Sequence, residues 1–148
     1  MKLKKASTIA GLLVLGLIAL AYAAYLSNST PFVAPVASDS PAQPYAVKLH
    51  AQWCPVCMVT KGVWKKIEAD YSGRVRLVVF DFTDEVTTEK SRVEAKRLGL
   101  EKYFDEHAGW TGTISVLDSQ GDVVDSLHGN RDFASYRELI DKALANNR

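Results

Sequence analysis

The 148-residue chain has few residues that bind metals and almost no net charge. It contains two cysteines and three histidines, and none has the spacing of a zinc finger, so we expect no metal site. The formal net charge is +1, and residues 45–148 contain 15 basic and 16 acidic side chains. This balance leaves no basic surface of the kind that binds nucleic acid.

Proline is scarce and unevenly placed. Four of the five prolines lie in residues 27–44, which are also rich in serine and alanine, and none follows Pro55. This composition predicts an extended linker ahead of the folded part. Alternatively, Phe32 and Val33 add a short strand to the edge of a sheet, where proline is tolerated.

The N-terminal residues, 1–26, have the pattern of a membrane anchor. Three lysines near the start precede Ile9–Leu26, which are 18 residues without a charge. That length is sufficient for a transmembrane helix, whose basic flank would stay in the cytoplasm. The alternative is a cleaved signal peptide, with Ala21-Tyr22-Ala23 as the cleavage site. Both interpretations place residues 45–148 outside the cytoplasm, in a periplasm, a lumen or the cell exterior.

The pattern of residues 45–148 predicts one α/β domain. Its elements follow one another in the order β-α-β, a helical insert, then β-β-α. The first two strands are joined by a helix, so they should be parallel, and the last two strands should form an antiparallel hairpin. The predicted result is a mixed four-stranded sheet with helices on both faces. The predicted strands are 45–51, 74–82, 113–117 and 123–127, and the predicted helices are 55–71, about 88–98 and 130–147, with a possible turn of helix in 101–110.

The two cysteines, Cys54 and Cys57, follow the first predicted strand at the start of a helix. A helix N-terminus offers free N–H groups and a positive dipole end, which stabilise a thiolate. A lowered thiol pKa increases the fraction of the cysteine that is present as thiolate and available for attack. We therefore predict that Cys54 caps the helix as an exposed nucleophile and that Cys57, one turn later, is the resolving thiol. Pro55 suits the first helical turn, and Met58 in place of a histidine excludes a C-x-x-C-H haem attachment site.

The segment "WCPVC", Trp53 to Cys57, together with the strand before it and the order of elements after it, resembles the thioredoxin family. The resemblance covers Tyr45 to Asn146. It implies a thioredoxin-like fold and a thiol–disulfide oxidoreductase without bound cofactor, acting on cysteines of other proteins. With the N-terminal segment it implies a membrane-tethered enzyme that exchanges electrons with a membrane partner. The sequence favours a reductase over an oxidase only weakly.

The chain differs from the usual thioredoxin sequence pattern at several positions. Pro55-Val56 stands where ordinary thioredoxins have Gly-Pro, a spacer that tunes the redox potential. The cis-proline beside the active site is replaced by Thr113, or alternatively by Gly112. A cis bond before a residue other than proline costs about 3 kcal/mol, so we expect a trans peptide and a reshaped substrate groove. The proline that kinks the active-site helix is replaced by Gly62.

Three side chains near the cysteines are candidate parts of the site. Lys48 stands where thioredoxins have a buried acid, and its ammonium could stabilise a thiolate; alternatively, it extends along the surface to solvent. His50 lies four residues before Cys54 and could act on its proton. Trp53 is expected to pack across the site and shape the docking surface.

A second hypothesis is that the domain is not an enzyme. The missing cis-proline motivates it: the cysteines would then form a static or sensing disulfide in a tethered binding module. A disulfide that closes so small a loop constrains little of the unfolded chain, which favours a chemical role instead.

Overall fold

The computed structural model describes residues 43–146. The predicted membrane segment, the possible edge strand at Phe32 and Val33, and most of the linker lie outside these residues. The elements in chain order are β1 (Tyr45–His50), α1 (Pro55–Tyr71), β2 (Arg76–Asp81), α2 (Glu85–Leu98), α3 (Glu101–His107), β3 (Thr113–Leu117), β4 (Val123–His128) and α4 (Phe133–Asn146).

The four strands form one sheet in the order β2-β1-β3-β4. β1 is parallel to β2 and antiparallel to β3, and β3 is antiparallel to β4. The predicted mixed sheet, with its parallel β-α-β unit and its closing hairpin, is therefore confirmed. β1 lies in the interior of the sheet, so the residues that follow it emerge from the middle of the domain.

Helices cover both faces of the sheet, and alternation along β1 divides the core between them. Ala46 packs with α1 and α4, in a cluster that includes Trp64 and Tyr136. Val47 and Leu49 point to the opposite face, in a cluster that includes Phe80 and Phe104. Lys48 shares the face of Ala46, so its side chain points towards α1.

Several element boundaries differ from the prediction; α4, for example, begins at Phe133 and not at residue 130. α2 begins at Glu85 and not near Thr88, because Asp84 and Thr87 form a capping box that satisfies the first N–H groups. β2 begins at Arg76 and not at Arg74, because the N–H group of Arg74 is bonded to the carbonyl oxygen of Tyr71 at the end of α1. α1 itself runs through Gly62 without interruption.

Within residues 43–146, no helix is long and apolar enough to cross a membrane.

Candidate redox site

Cys54 is the N-cap of α1, as predicted. The chain leaves β1 at His50 and turns through a hydrogen bond from the Cys54 N–H to the carbonyl oxygen of Ala51 (3.2 Å). Cys54 has extended backbone angles, and its Sγ accepts the N–H of Cys57 at 3.1 Å. A sulfur atom thus takes the place of the serine or aspartate oxygen that caps many helices. Pro55 occupies the first turn, where its missing N–H costs nothing.

Both thiols are free and buried. Cys54 is 3% exposed and Cys57 is 2% exposed. The prediction that Cys54 is exposed is therefore wrong. Cys54 and Cys57 pack with Ala51 and with the half-buried side chain of Val56, and the Thr111 hydroxyl also contacts the Cys54 sulfur. A substrate can therefore reach Cys54 only at the small part of this residue that is exposed.

The local environment shifts the pKa values of the two thiols in opposite directions. Burial acts to raise the pKa of Cys54, but hydrogen bonds from the Cys57 thiol, the Thr111 hydroxyl and the N–H groups of Cys57 and Val56 outweigh it, so the net shift is downward. Burial raises the pKa of Cys57 to about 11, and its hydrogen bond to Cys54 adds to that shift. The carbonyl oxygen of Leu49, 3.7 Å from the Cys57 sulfur, is the alternative acceptor for the single proton of this thiol. At neutral pH, Cys54 is the better nucleophile.

The loop before β3 completes the site, but through residues other than Thr113. Thr113 begins β3, and its hydroxyl bonds Nδ1 of His128 at 3.1 Å. Thr111, which the sequence analysis did not single out, provides the hydroxyl that bonds Cys54. Gly112, the alternative position for the missing proline, lies against Val56. All peptide bonds in residues 43–146 are trans.

Val56 fits between two glycines. Gly112 has a φ of +89°, and a Cβ atom there would lie 2.5 Å from Cγ1 of Val56. A Cβ atom on Gly129 would lie 3.2 Å from the same methyl group. Both positions have positive φ angles that favour glycine. The Val56 side chain therefore occupies the space that side chains at Gly112 and Gly129 would need.

Lys48 is buried, with only 6% of its surface exposed, so it does not extend to solvent. Its Nζ lies 5.9 Å from the centroid of the Trp64 ring on α1. Burial lowers the pKa of Lys48, and the negative charges of Cys57 and Glu68 offset part of that effect. His50 is half-buried, and burial together with the charge of Lys48 lowers its pKa.

Comparison with solved structures identifies the fold. The exposed lipoprotein thioredoxin of Streptococcus pneumoniae superposes with a TM-score of 0.51 at 14% identity, over 71% of this chain and 88% of that one. The fold is thioredoxin-like. Similar matches at a TM-score of 0.47 are the DsbF protein of MTB (16% identity; 69% of this chain, 81% of that one) and a thioredoxin-family thiol:disulfide interchange protein of Chlorobium tepidum (19%; 70% and 81%). No family model matches the chain.

The rim of the dithiol in this thioredoxin-like domain is apolar. Trp53 is 63% exposed, and its Nε1–H donates to the carbonyl oxygen of Thr83 at 3.0 Å, which fixes the indole on the loop after β2. Trp110, next to Thr111, is 65% exposed, so it does not pack in the core. Met58, one turn after Cys54, is also exposed. Among the described residues, no group of three or more ligand side chains could hold a metal ion.

We predict that Thr111→Val raises the pKa of Cys54. A hydrogen bond to a charged acceptor contributes about 1.5–3 kcal/mol, which corresponds to roughly 1–2 pH units. The measurement is the pH dependence of Cys54 alkylation by iodoacetamide, followed by mass spectrometry of the Cys54 peptide. Thr113→Val is the matched control, since it removes a nearby hydroxyl that bonds His128 instead. An alkylation midpoint that Thr111→Val leaves unchanged would contradict the assignment.

Proposed function

We propose that the chain is a thiol–disulfide oxidoreductase that acts on cysteines of protein substrates. The observation that carries the proposal is the arrangement of two free thiols at the start of α1: Sγ of Cys54 caps the helix and accepts the N–H of Cys57 at 3.1 Å, and the pKa is lowered for Cys54 and raised for Cys57. A pair that differs in this way provides one thiol for attack and one that is held back as a thiol until the second step.

The reaction proceeds in two exchange steps. The thiolate of Cys54 attacks one sulfur of a substrate disulfide, forming a mixed disulfide and releasing the first substrate thiolate. Cys57 then loses its proton and attacks Sγ of Cys54, which breaks the mixed disulfide and releases the second substrate thiolate. The enzyme ends with a Cys54–Cys57 disulfide, and two electrons have passed to the substrate, whose thiolates take up protons.

The apolar rim supports protein substrates. Because Cys54 is almost fully buried, a substrate disulfide must be brought close to it by contacts around the opening. Trp53, Met58 and Trp110 present large exposed side chains there, and such surfaces favour extended, partly apolar polypeptide segments.

We propose reduction of substrate disulfides as the direction. The hydrogen bonds that lower the pKa of Cys54 come from neutral donors, namely a thiol, a hydroxyl and backbone N–H groups. Strongly oxidising pairs have nucleophiles with a pKa near 3.5, stabilised far more than in ordinary thioredoxins. At Cys54 only neutral donors act, and burial opposes them; on this ground we propose that the pair is a reductant.

We also propose that the domain functions outside the cytoplasm, tethered through residues 9–26. The lysines and the 18 uncharged residues at the N-terminus support this orientation. A reductase in that compartment needs a membrane partner that delivers electrons from the cytoplasm.

We predict that Cys54→Ser abolishes disulfide reductase activity, because no other thiol has the lowered pKa of the attacking group. The measurement is insulin reduction with dithiothreitol as the electron source, where the variant should fall to the rate of dithiothreitol alone. Cys57→Ser, the matched control, should accumulate a mixed disulfide through Cys54. Equal rates for wild type and Cys54→Ser would favour the binding-module hypothesis.

The reduction potential of the Cys54–Cys57 pair tests the direction. Equilibration with glutathione buffers should place it near the thioredoxin value of about −270 mV. A potential near the value of about −120 mV found for strong oxidants would reverse the proposed direction while leaving the exchange chemistry intact.

Cell fractionation of the full chain, tagged at its C-terminus, tests the tether. We expect the tagged protein at full length in the membrane fraction, since 18 uncharged residues suffice to span a bilayer. Recovery as a shortened, soluble extracytoplasmic form would show instead that the N-terminal segment is cleaved.

A further inference from the structure

The loop after β2 is bonded to the two residues that precede the nucleophile. The last backbone bond between β1 and the chain after β2 runs from the N–H of Phe82 to the carbonyl oxygen of His50, at 2.7 Å. Beyond it, the N–H of Gln52 donates to Oγ1 of Thr83 at 2.9 Å, and the indole N–H of Trp53 donates to the carbonyl oxygen of Thr83 at 3.0 Å. These bonds continue the pairing of the two chain segments as far as the residue next to the nucleophile.

Every polar group of Thr83 takes part in this arrangement. Its N–H donates to Oδ1 of Asp81 at 2.9 Å, and its hydroxyl donates to the same oxygen. Its hydroxyl oxygen and its carbonyl oxygen accept the bonds from Gln52 and Trp53. Asp81 is held in turn, since its N–H donates to Oγ of the buried Ser91 on α2 at 2.8 Å. Thr83 therefore connects the residue before Cys54 to the core of the domain.

A local turn accounts for only part of these contacts. Hydrogen bonds between an aspartate side chain and the residue two positions later are common where a regular element ends. The bonds to Gln52 and Trp53, in contrast, join residues that are 31 and 30 positions apart. They are not needed to end β2, and their effect is to fix the Trp53 side chain.

The indole of Trp53 is held and exposed at the same time. Its ring is 63% exposed, although its single polar atom is bonded within the protein. Trp110, the other exposed indole near Cys54, has no such bond among the described residues, and its ring meets that of His107 edge-on, with centroids 6.4 Å apart. Trp53 therefore presents an apolar ring surface to a substrate in one fixed orientation.

A side chain that is fixed in advance makes binding less costly. Immobilising one free side chain at an interface weakens binding by a factor of roughly two to twelve. Tryptophan is also among the residues that contribute most to protein interfaces. A fixed Trp53 thus favours substrates that are large enough to cover its ring, and it makes no difference to those that are too small.

We propose that Thr83 is a positioning residue that fixes Trp53 as a preformed platform for the polypeptide around a substrate disulfide. This inference rests on the proposed function, and it adds the residue through which the site favours protein disulfides over small ones. Thr83 takes no part in the exchange steps. The substrate chain lies against the indole while Cys54 attacks, and the indole has no ordering cost to meet at that moment.

Three substitutions separate this role from a general effect on folding. Thr83→Val keeps the shape of the side chain but removes the acceptor for the Gln52 N–H and one of the two bonds to Asp81. The carbonyl oxygen that holds Trp53 is then less firmly placed. Thr83→Ser keeps the hydroxyl. Thr88→Val is the matched control, because it removes a threonine hydroxyl that bonds a carbonyl oxygen at the start of α2, at 2.7 Å.

The experiment compares a protein disulfide with a small one. Reduced protein is mixed with excess insulin or with hydroxyethyl disulfide and quenched with acid after set times. Mass spectrometry then gives the fraction that holds the Cys54–Cys57 disulfide. The insulin series yields a limiting rate and a half-saturating concentration, and hydroxyethyl disulfide, too small to cover an indole, yields a rate that reports the reactivity of Cys54 alone.

We predict that Thr83→Val raises the half-saturating insulin concentration about fivefold and leaves the limiting rate within about twofold, because the freed indole must be ordered on binding. The rate with hydroxyethyl disulfide should stay within about twofold of wild type. Thr83→Ser and Thr88→Val should match wild type with both disulfides. An unchanged insulin half-saturation in Thr83→Val, or an equal loss with both disulfides, would overturn the inference.

Double substitutions test whether Thr83 acts through Trp53. In a Trp53→Ala background, Thr83→Val should have no further effect, whereas in a Trp110→Ala background it should keep its fivefold effect. Additive effects with Trp53→Ala would contradict the positioning role. The indole N–H signal of Trp53 in NMR spectra, assigned with Trp53→Phe, should exchange with water faster in Thr83→Val and not in Thr83→Ser. Failure of the wild type to react with either disulfide would instead refute the proposed oxidoreductase function.

Discussion

The carbonyl oxygen of Leu49 contacts both the loop before β3 and the resolving cysteine. It accepts the N–H of Gly112 at 2.8 Å and lies 3.7 Å from the sulfur of Cys57. The first bond holds the loop before β3 against the end of β1, which brings the Thr111 hydroxyl to Cys54. The second contact holds the Cys57 thiol against the end of β1, where burial raises its pKa to about 11. One backbone atom at the end of the central strand thus positions the group that stabilises the nucleophile and the group that resolves it.

Close packing across the same loop explains the spacer between the cysteines. Val56 fills the space between Gly112 and Gly129, and the N–H of Gly129 in turn bonds the carbonyl oxygen of Gly112 at 3.1 Å. A larger residue at Gly112 would meet Val56 and would also strain the backbone. The spacer and the loop are therefore complementary in shape. The loop contains no proline, and at Gly112 it adopts a conformation that glycine allows.

The sequence predicted the architecture well and the fine structure of the site less well. Local signals sufficed for the order of strands and helices along the chain, for the helix at Pro55–Tyr71 and for Cys54 as its cap, because alternation, helical spacing and capping act over a few residues. The burial of Cys54 and the role of Thr111 depend on a loop more than fifty residues away. The only local signal for that loop was a Thr-Gly pair directly before a strand. The burial of Lys48 likewise required knowing that β1 is flanked on both sides.

A buried lysine couples the redox state of the pair to the protonation of its surroundings. When Cys57 loses its proton, the thiolate raises the pKa of Lys48 and stabilises its ammonium form. When the disulfide forms, that negative charge disappears, while the burial that lowers the pKa of Lys48 remains. The ammonium then retains Glu68 as its nearby carboxylate, and it releases its proton more readily than before. Oxidation of the cysteines thus favours the departure of a proton from Lys48, and the same electrostatics require that a rise in pH favour the oxidised pair.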